Sequence, residues 1–163
     1  MKRTAGILMP VFSLPSRYGI GCFSKSAYDF VDWLRGAGQT YWQNLPLCPT
    51  SVGDSPYQSF STFAGSPYYI SLESLIEEGV LRESDCAAAD FGTKPDRIDY
   101  EKLYQARYPL LRKAYENSRV AGDAGYQAFV EENRWWLEDY ALFMAVKDRI
   151  GGAPWTEWAE EDS

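Results

Sequence analysis

The apolar and polar positions change rhythm several times along this chain. Residues 5–12 (AGILMPVF) form an apolar run without polar alternation, the pattern of a strand buried on both faces. Residues 13–21 (SLPSRYGIG) carry Pro15, Gly19 and Gly21 and predict a turn-rich loop. Ala27, Phe30, Val31, Leu34 and Ala37 then recur at helical spacing, so a helix is expected up to about Gly36. Either Ser24 or Ser26 can cap it, Asp29 stands where a weak capping box would place an acid, and Gly36 and Gly38 stop it. Residues 40–47 (TYWQNLPL) read as a second strand ending between Pro46 and Pro49.

Strand, loop, helix and strand make a βαβ unit, whose crossover is right-handed and whose strands are parallel. In α/β barrels and open α/β sheets, ligands bind at the carboxyl ends of such strands. That rule selects the loops at 13–21 and 48–65. Beyond Gly65 the pattern turns helical. Residues 71–79 predict a short helix with Ser71 as cap and Gly79 as stop, and residues 90–98 a polar connector containing Gly92 and Pro95. Asp99 can cap a longer helix with Tyr100, Leu103, Tyr104, Leu110, Leu111 and Ala114 as its apolar positions; Pro109 should kink or break it. After a linker at 121–125, residues 126–149 give the strongest helical pattern, with Phe129, Val130, Trp136, Tyr140, Phe143 and Met144 near one face. A break around Asn133 is compatible with that pattern. Two parallel strands followed by helices are too little for a covered parallel sheet, so the pattern reads as part of a larger one.

The 163-residue length suits one domain, and 45% hydrophobic with 24% charged residues is a globular balance. Aromatic residues reach 16%, with six Trp and twelve Tyr, enough to fill a core and also to offer faces to sugar rings. Composition does not separate those uses. A net charge of −7 argues against nucleic acid, which needs clustered Lys and Arg. The chain has no His, which removes His-based acid–base and nucleophile pairs and the commonest metal ligand. Cys22, Cys48 and Cys86 are widely spaced and fit neither a CxxC metal site nor a disulfide framework; buried or half-buried thiols in a reducing cytoplasm are expected. The amino-terminal apolar run is short and broken by Pro10, unlike a signal peptide, and no stretch approaches the roughly twenty apolar residues that span a bilayer.

The most specific local feature is GDSPYQSFS at 53–61. Pro56 fixes its own φ and biases Ser55 towards an extended conformation, which presents the Ser55 hydroxyl and Tyr57 ring rigidly. Asp54, Ser55, Gln58 and Ser59 offer hydrogen-bonding groups, and Tyr57 and Phe60 offer ring faces, as polyol binding requires. The alternative is a structural loop whose polar groups satisfy backbone NH groups. Retaining glycoside chemistry needs two carboxyls about 5–5.5 Å apart. Asp54 is the one acid on a promising loop, whereas Glu77, Glu78, Glu131, Glu132, Glu138 and Asp139 read as exposed helix charges. The Gly19-Ile20-Gly21 triplet lacks the third glycine of a dinucleotide fingerprint.

The stretches RTAGILMPVFSLPSRYGIG and DFVDWLRGAGQTYWQNLPLCPTSVGDSPYQSFSTFAGSPYYISLESLIEEGVL resemble the start of amylomaltases, the 4-α-glucanotransferases of glycoside hydrolase family 77. The stretch ENRWWLEDYALFMAVKDRIGGAPWTEW resembles the helical region that follows in them. The resemblance implies an α/β fold: the amino-terminal part of a (β/α)8 TIM-type barrel, contributing its first two parallel strands, with a mainly helical insertion. Residues 1–70 would be the first βαβ unit with the cleft loop, and residues 71–163 the insertion.

It further implies transfer of α-1,4-glucan segments between maltooligosaccharides, glycogen or starch through a covalent glucosyl-enzyme, with no metal or organic cofactor. The family's Asp nucleophile, Glu acid/base and transition-state Asp lie on later strands and have no counterpart here, so the chain alone is expected to be inactive. Ser55 and Tyr57 match the Ser and Tyr that line the family's substrate cleft, and Asp54 matches the loop's Asp, in a role of loop support. Many members carry an aromatic residue just before this loop where a second glucan binds; here it is Val52. Two other readings stay open: a stand-alone glucan-binding protein using Tyr57, and an interaction module meeting the missing carboxyl-terminal part of the enzyme. No nucleic acid or membrane partner is expected.

Overall fold

The computed structural model describes residues 3–158 except 52, 93 and 95; Val52 and Pro95, singled out above, lie outside the described residues. The chain divides into two compact units, one ending at Arg119 and one beginning at Val120.

In the first unit, β1 (Gly6–Leu8) pairs in parallel with β2 (Tyr41–Gln43), with Ile7 opposite Trp42 and Leu8 opposite Gln43. Helix α1 (Lys25–Gly36) makes the crossover. Its apolar side carries Phe30, whose ring meets Trp42 edge-on at 5.1 Å, so the Ile7/Trp42 face of the ladder is the covered one. Gly6, Leu8, Tyr41 and Gln43 on the other face are exposed. The fully buried strand expected at 5–12 is therefore corrected on two counts. The ladder is only three residues long, and one of its faces is bare. Pro10 supplies no NH, and after it residues Val11–Ser13 tighten into a 3₁₀ turn.

Helix α1 begins after Ser24, which is the cap by position, but its hydroxyl bonds Ser26 at 3.0 Å instead of a helix NH. Asp29 pairs with Lys25 one turn back, at 2.6 Å, rather than closing a capping box. Ala27 and Leu34 are buried and Phe30 is half-buried, while Val31 and Ala37 are exposed, so the stripe is narrower than its spacing suggested.

Three helices follow. Helix α2 (Leu72–Glu77) is capped by Ser71, which accepts from the Ser74 NH, and Gly79 ends it at φ 78°. Helix α3 (Glu83–Ala87) was not foreseen. Helix α4 (Tyr100–Asn117) is capped by Asp99, which accepts from the Lys102 NH. It does not break at Pro109. Pro109 and Gln105 both lie at the exposed surface, where water can serve the carbonyl that Pro leaves without a donor.

The core of this unit is built around α4 and the loops, not around the sheet. Leu103, Ala106, Leu110 and Ala114 of α4 pack in one cluster with Leu14, Tyr18 and Ile20 of the first loop, Tyr68, Tyr69, Leu72, Leu81 and Phe91.

The second unit is mainly α5 (Ala124–Arg149), capped by Asp123. The helix does not break at Asn133. That side chain donates to the Phe129 carbonyl one turn back (2.8 Å) and accepts from the Trp136 indole (3.0 Å), bonds that tie it to the helix. None of its described residues is fully buried. Glu77, Glu78, Glu131, Glu132, Glu138 and Asp139 are all exposed, and Cys22 and Cys86 are buried free thiols with Cys48 half-buried. Among the described residues, no helix is long and apolar enough to cross a membrane.

Candidate functional site

Side chains of β2 and of the residue that follows it fix the carboxyl end of β1. The Trp42 indole donates to the Met9 carbonyl (2.6 Å), and the Asn44 side-chain oxygen accepts from the Val11 NH (2.8 Å). From there the first loop doubles back, and the Gly21 NH donates to the Phe12 carbonyl at 3.1 Å. Gly21 has to be glycine, because a Cβ there would stand 2.2 Å from the Val11 carbonyl oxygen and 2.7 Å from that of Leu14. Leu14, Tyr18, Ile20 and Gly21 are buried, while Ser13, Pro15 and Arg17 face outwards.

The second loop is held at its base by the Ser66 NH donating to the Leu47 carbonyl, at 2.8 Å. Within it, Asp54 NH bonds the Ser51 carbonyl, Gln58 NH the Ser55 carbonyl, and Ser51 NH the Gln58 carbonyl, a tight double turn. Gly53 at φ 91° and Asp54 at φ 55° are both left-handed. Asp54 is the one described non-glycine residue with positive φ, and Asp tolerates that region better than most residues. The Ser55 hydroxyl accepts from the Tyr57 NH (3.3 Å), and the Ser59 and Ser61 hydroxyls accept from the Ser61, Phe63 and Ala64 NH groups. The loop's hydroxyls thus serve its own backbone, as the structural alternative required. The Tyr57 ring nevertheless stands 72% exposed, so the fold of the loop presents it to solvent.

A cleft of about 690 Å³ lies between the first strand-end loop and the connector that leads into α4, with Asp54 as its lining residue from the second loop. Ser13, Gly21, Asp54, Asp96, Arg97 and Tyr100 are among its lining residues. It brings the first loop together with Asp54, but Ser55 and Tyr57 lie outside its lining. Partial burial raises the Asp54 carboxyl above its ordinary value. Burial pushes the Tyr68 hydroxyl up to about 12, and the Asp54 charge adds to that effect, as it does at Tyr100. The rings of Tyr68 and Tyr100 are 5.9 Å apart.

The connector read from sequence as merely polar therefore contributes Lys94, Asp96, Arg97 and Ile98 to the cleft, and α4 contributes Tyr100. Their signal was weak, because charged residues between Gly92 and a helix cap look like any solvated connector. Among the described residues, no group of three His, Cys, Asp or Glu side chains could hold a metal ion.

A parallel strand pair joined by a crossover helix, with a polar-aromatic loop at the strands' carboxyl end, is the arrangement of an α/β protein that binds its ligands at that end. The comparisons narrow this. The family described as 4-alpha-glucanotransferase matches residues 9–163. The chain is 49% identical over 163 residues to the 4-alpha-glucanotransferase of Streptococcus pneumoniae, covering 99% of this chain and 32% of that protein. It is 46% identical over 162 residues to the one from Thermus thermophilus, covering 97% and 31%. An amylomaltase from Streptococcus agalactiae, solved in complex with acarbose, superposes with a TM-score of 0.89 at 40% identity, covering 98% of this chain and 32% of that one. The chain belongs to the 4-α-glucanotransferase family. It spans about a third of the length of the curated relatives it matches.

Proposed function

We propose that this chain forms the opening βα units and one wall of the glucan cleft of an amylomaltase-type 4-α-glucanotransferase. The observation that carries the reading is the second strand-end loop. It is polar and internally hydrogen-bonded, and it holds Tyr57 out to solvent at the carboxyl end of β2. In this reading Ser55 hydrogen-bonds a sugar hydroxyl, Tyr57 packs its ring on a glucose face, and Asp54 supports the loop through its left-handed turn. The substrates are α-1,4-glucans: maltooligosaccharides, glycogen or starch.

The transfer itself is double displacement at an anomeric carbon. An enzyme carboxylate attacks it as the glycosidic oxygen leaves with a proton, and the 4-hydroxyl of the acceptor glucan then displaces that carboxylate. These steps belong to residues outside the chain's two strands, and none of its own acids is assigned to them.

The fold proposed for the complete enzyme is a (β/α)8 barrel in which β1 and β2 are the first two strands. The bare Gly6/Leu8/Tyr41/Gln43 face supports this, since parallel sheets are covered on both sides. Residues 71–163 are read as a helical insertion ahead of the third strand. Further strands, in the same polypeptide or in a separate carboxyl-terminal part, would complete the sheet. A cytoplasmic site of action belongs to the same reading and rests on the free thiols of Cys22, Cys48 and Cys86.

The test is disproportionation of maltotriose by the 163-residue polypeptide, alone and joined to the carboxyl-terminal two-thirds of the Streptococcus pneumoniae relative. Glucose and longer oligomers are expected from the joined protein only. Release by the chain alone would overturn its inactivity. A folded, silent joined protein would overturn the assignment of function.

A further inference from the structure

Arg107 is the largest fully buried side chain of the described structure, with 0% of its surface exposed. It sits on α4 between Leu103 and Leu110, where an apolar residue would be expected. No carboxylate pairs with it among the described residues. Instead, Nη1 donates to the Tyr18 carbonyl at 3.4 Å and Nη2 donates to the Ile70 carbonyl, while Nε has no partner. Those two carbonyls belong to different segments. Tyr18 is in the first strand-end loop; Ile70 ends the 3₁₀ turn Pro67–Tyr69, which follows directly from the second.

A charge buried without an ion-pair partner is a poor way to gain stability, since a well-packed apolar side chain avoids its desolvation. A guanidinium does one thing an apolar side chain cannot. Its planar fork carries several NH donors in fixed directions, so two carbonyls bonded to it are held at one separation and one angle. The neighbouring contacts act in the same sense. The Phe23 NH donates to the Tyr69 carbonyl at 3.2 Å, tying the end of the first loop to the 3₁₀ turn. The Tyr68 ring is wedged against Tyr100 and Tyr108 of α4, each at 5.9 Å. Gly19 leaves its space to Phe91 and Leu103, since a Cβ there would stand 2.6 Å from the Phe91 carbonyl oxygen.

We propose that Arg107 is a positioning residue for glucan binding. Its guanidinium sets the first strand-end loop against the base of the second, so the wall that carries Ser55 and Tyr57 keeps one shape. The residue touches no glucan itself. This proposal rests on the glucan-handling reading, and its test separates the two.

The experiment compares the 163-residue chain with Arg107→Met and Arg107→Lys, by backbone amide exchange and by calorimetric titration with acarbose. In Arg107→Met, the Gly21, Phe23 and Ile70 amides should exchange about tenfold faster, whereas the Met9 amide in the strand ladder keeps its rate. The acarbose Kd should weaken about fivefold to tenfold in step with that exchange. Lys can reach one carbonyl at a time, so Arg107→Lys should fall between the two for both readouts.

Unchanged exchange at those three amides would overturn the proposal, as would faster exchange with unaltered affinity. Global unfolding of both variants would also overturn it, because the residue would then be a stability element. If the unaltered chain binds no acarbose, the glucan-handling reading falls and takes the positioning role with it, while the exchange data still decide whether the clamp exists.

Discussion

The two loops that leave the carboxyl ends of β1 and β2 solve the same problem in opposite ways. The first is anchored from outside itself: Leu14, Tyr18 and Ile20 sink into the core, Gly21 packs backbone on backbone, and Arg107 grips the Tyr18 carbonyl. The second is anchored from within. Its serine hydroxyls and backbone turns bond one another, and Ala64 is its one buried apolar side chain among the described residues of 53–65. A loop held by the core has little surface left to offer. One held by its own hydrogen bonds can face solvent and still stay rigid, which suits it to carry Tyr57.

Substitutions should break the two loops differently. Gly21→Val places atoms into the Val11 and Leu14 carbonyls and should cost more than about 4 kcal/mol, seen as failure to fold in denaturant titration. Gly65→Ala in the second loop meets nothing within 4 Å and should shift stability by less than about 0.5 kcal/mol. Leu103→Ala, which removes the fully buried α4 side chain beneath Gly19, should cost about 3 kcal/mol in the same titration. Tyr57→Ala should change stability by less than about 0.5 kcal/mol yet weaken acarbose binding about tenfold by calorimetry.

The smallest effect is expected at Asp54. Partial burial raises its carboxyl in the folded chain, so folded protein holds its proton more tightly than unfolded protein does. That contribution favours folding at low pH and is lost as pH rises from the ordinary aspartate value of 3.8 through the raised one. Asp85 and Asp90 run the other way. Their lowered carboxyls, held chiefly by Lys113 and Lys102, stabilise above the unfolded value and are lost on acidification. In Asp54→Asn, which keeps a residue tolerant of positive φ, melting temperature should therefore rise slightly at neutral pH and match the parent in acid. A uniform shift at every pH would contradict the assignment.

The βαβ order, the parallel pairing and the helix caps at Ser71 and Asp99 could be read from the sequence, because each depends on residues close in the chain. Asp123 caps α5 from within the stretch that reads as a linker. Strand length was overestimated at both strands, since apolar runs continue through Pro10 and Pro46 where ladders do not. The GDSPYQSFS loop was recognisable from its residue types, as was its internal bonding alternative. What escaped was everything set by distant contacts. Tyr100 and Arg97 join Asp54 in one cleft across more than forty residues of chain, and Arg107 meets Tyr18 across 89. An arginine on the apolar side of a helix was the one visible hint of that clamp, and spacing alone gave it no partner.

The most direct test follows the amide resonances of the folded chain while acarbose or maltotriose is added. The account predicts the largest shifts within residues 53–61, with the Tyr57 and Ser55 amides foremost, and little movement along α5. Shifts confined to α5, or a folded chain whose 53–61 amides stay fixed at saturating sugar, would contradict it.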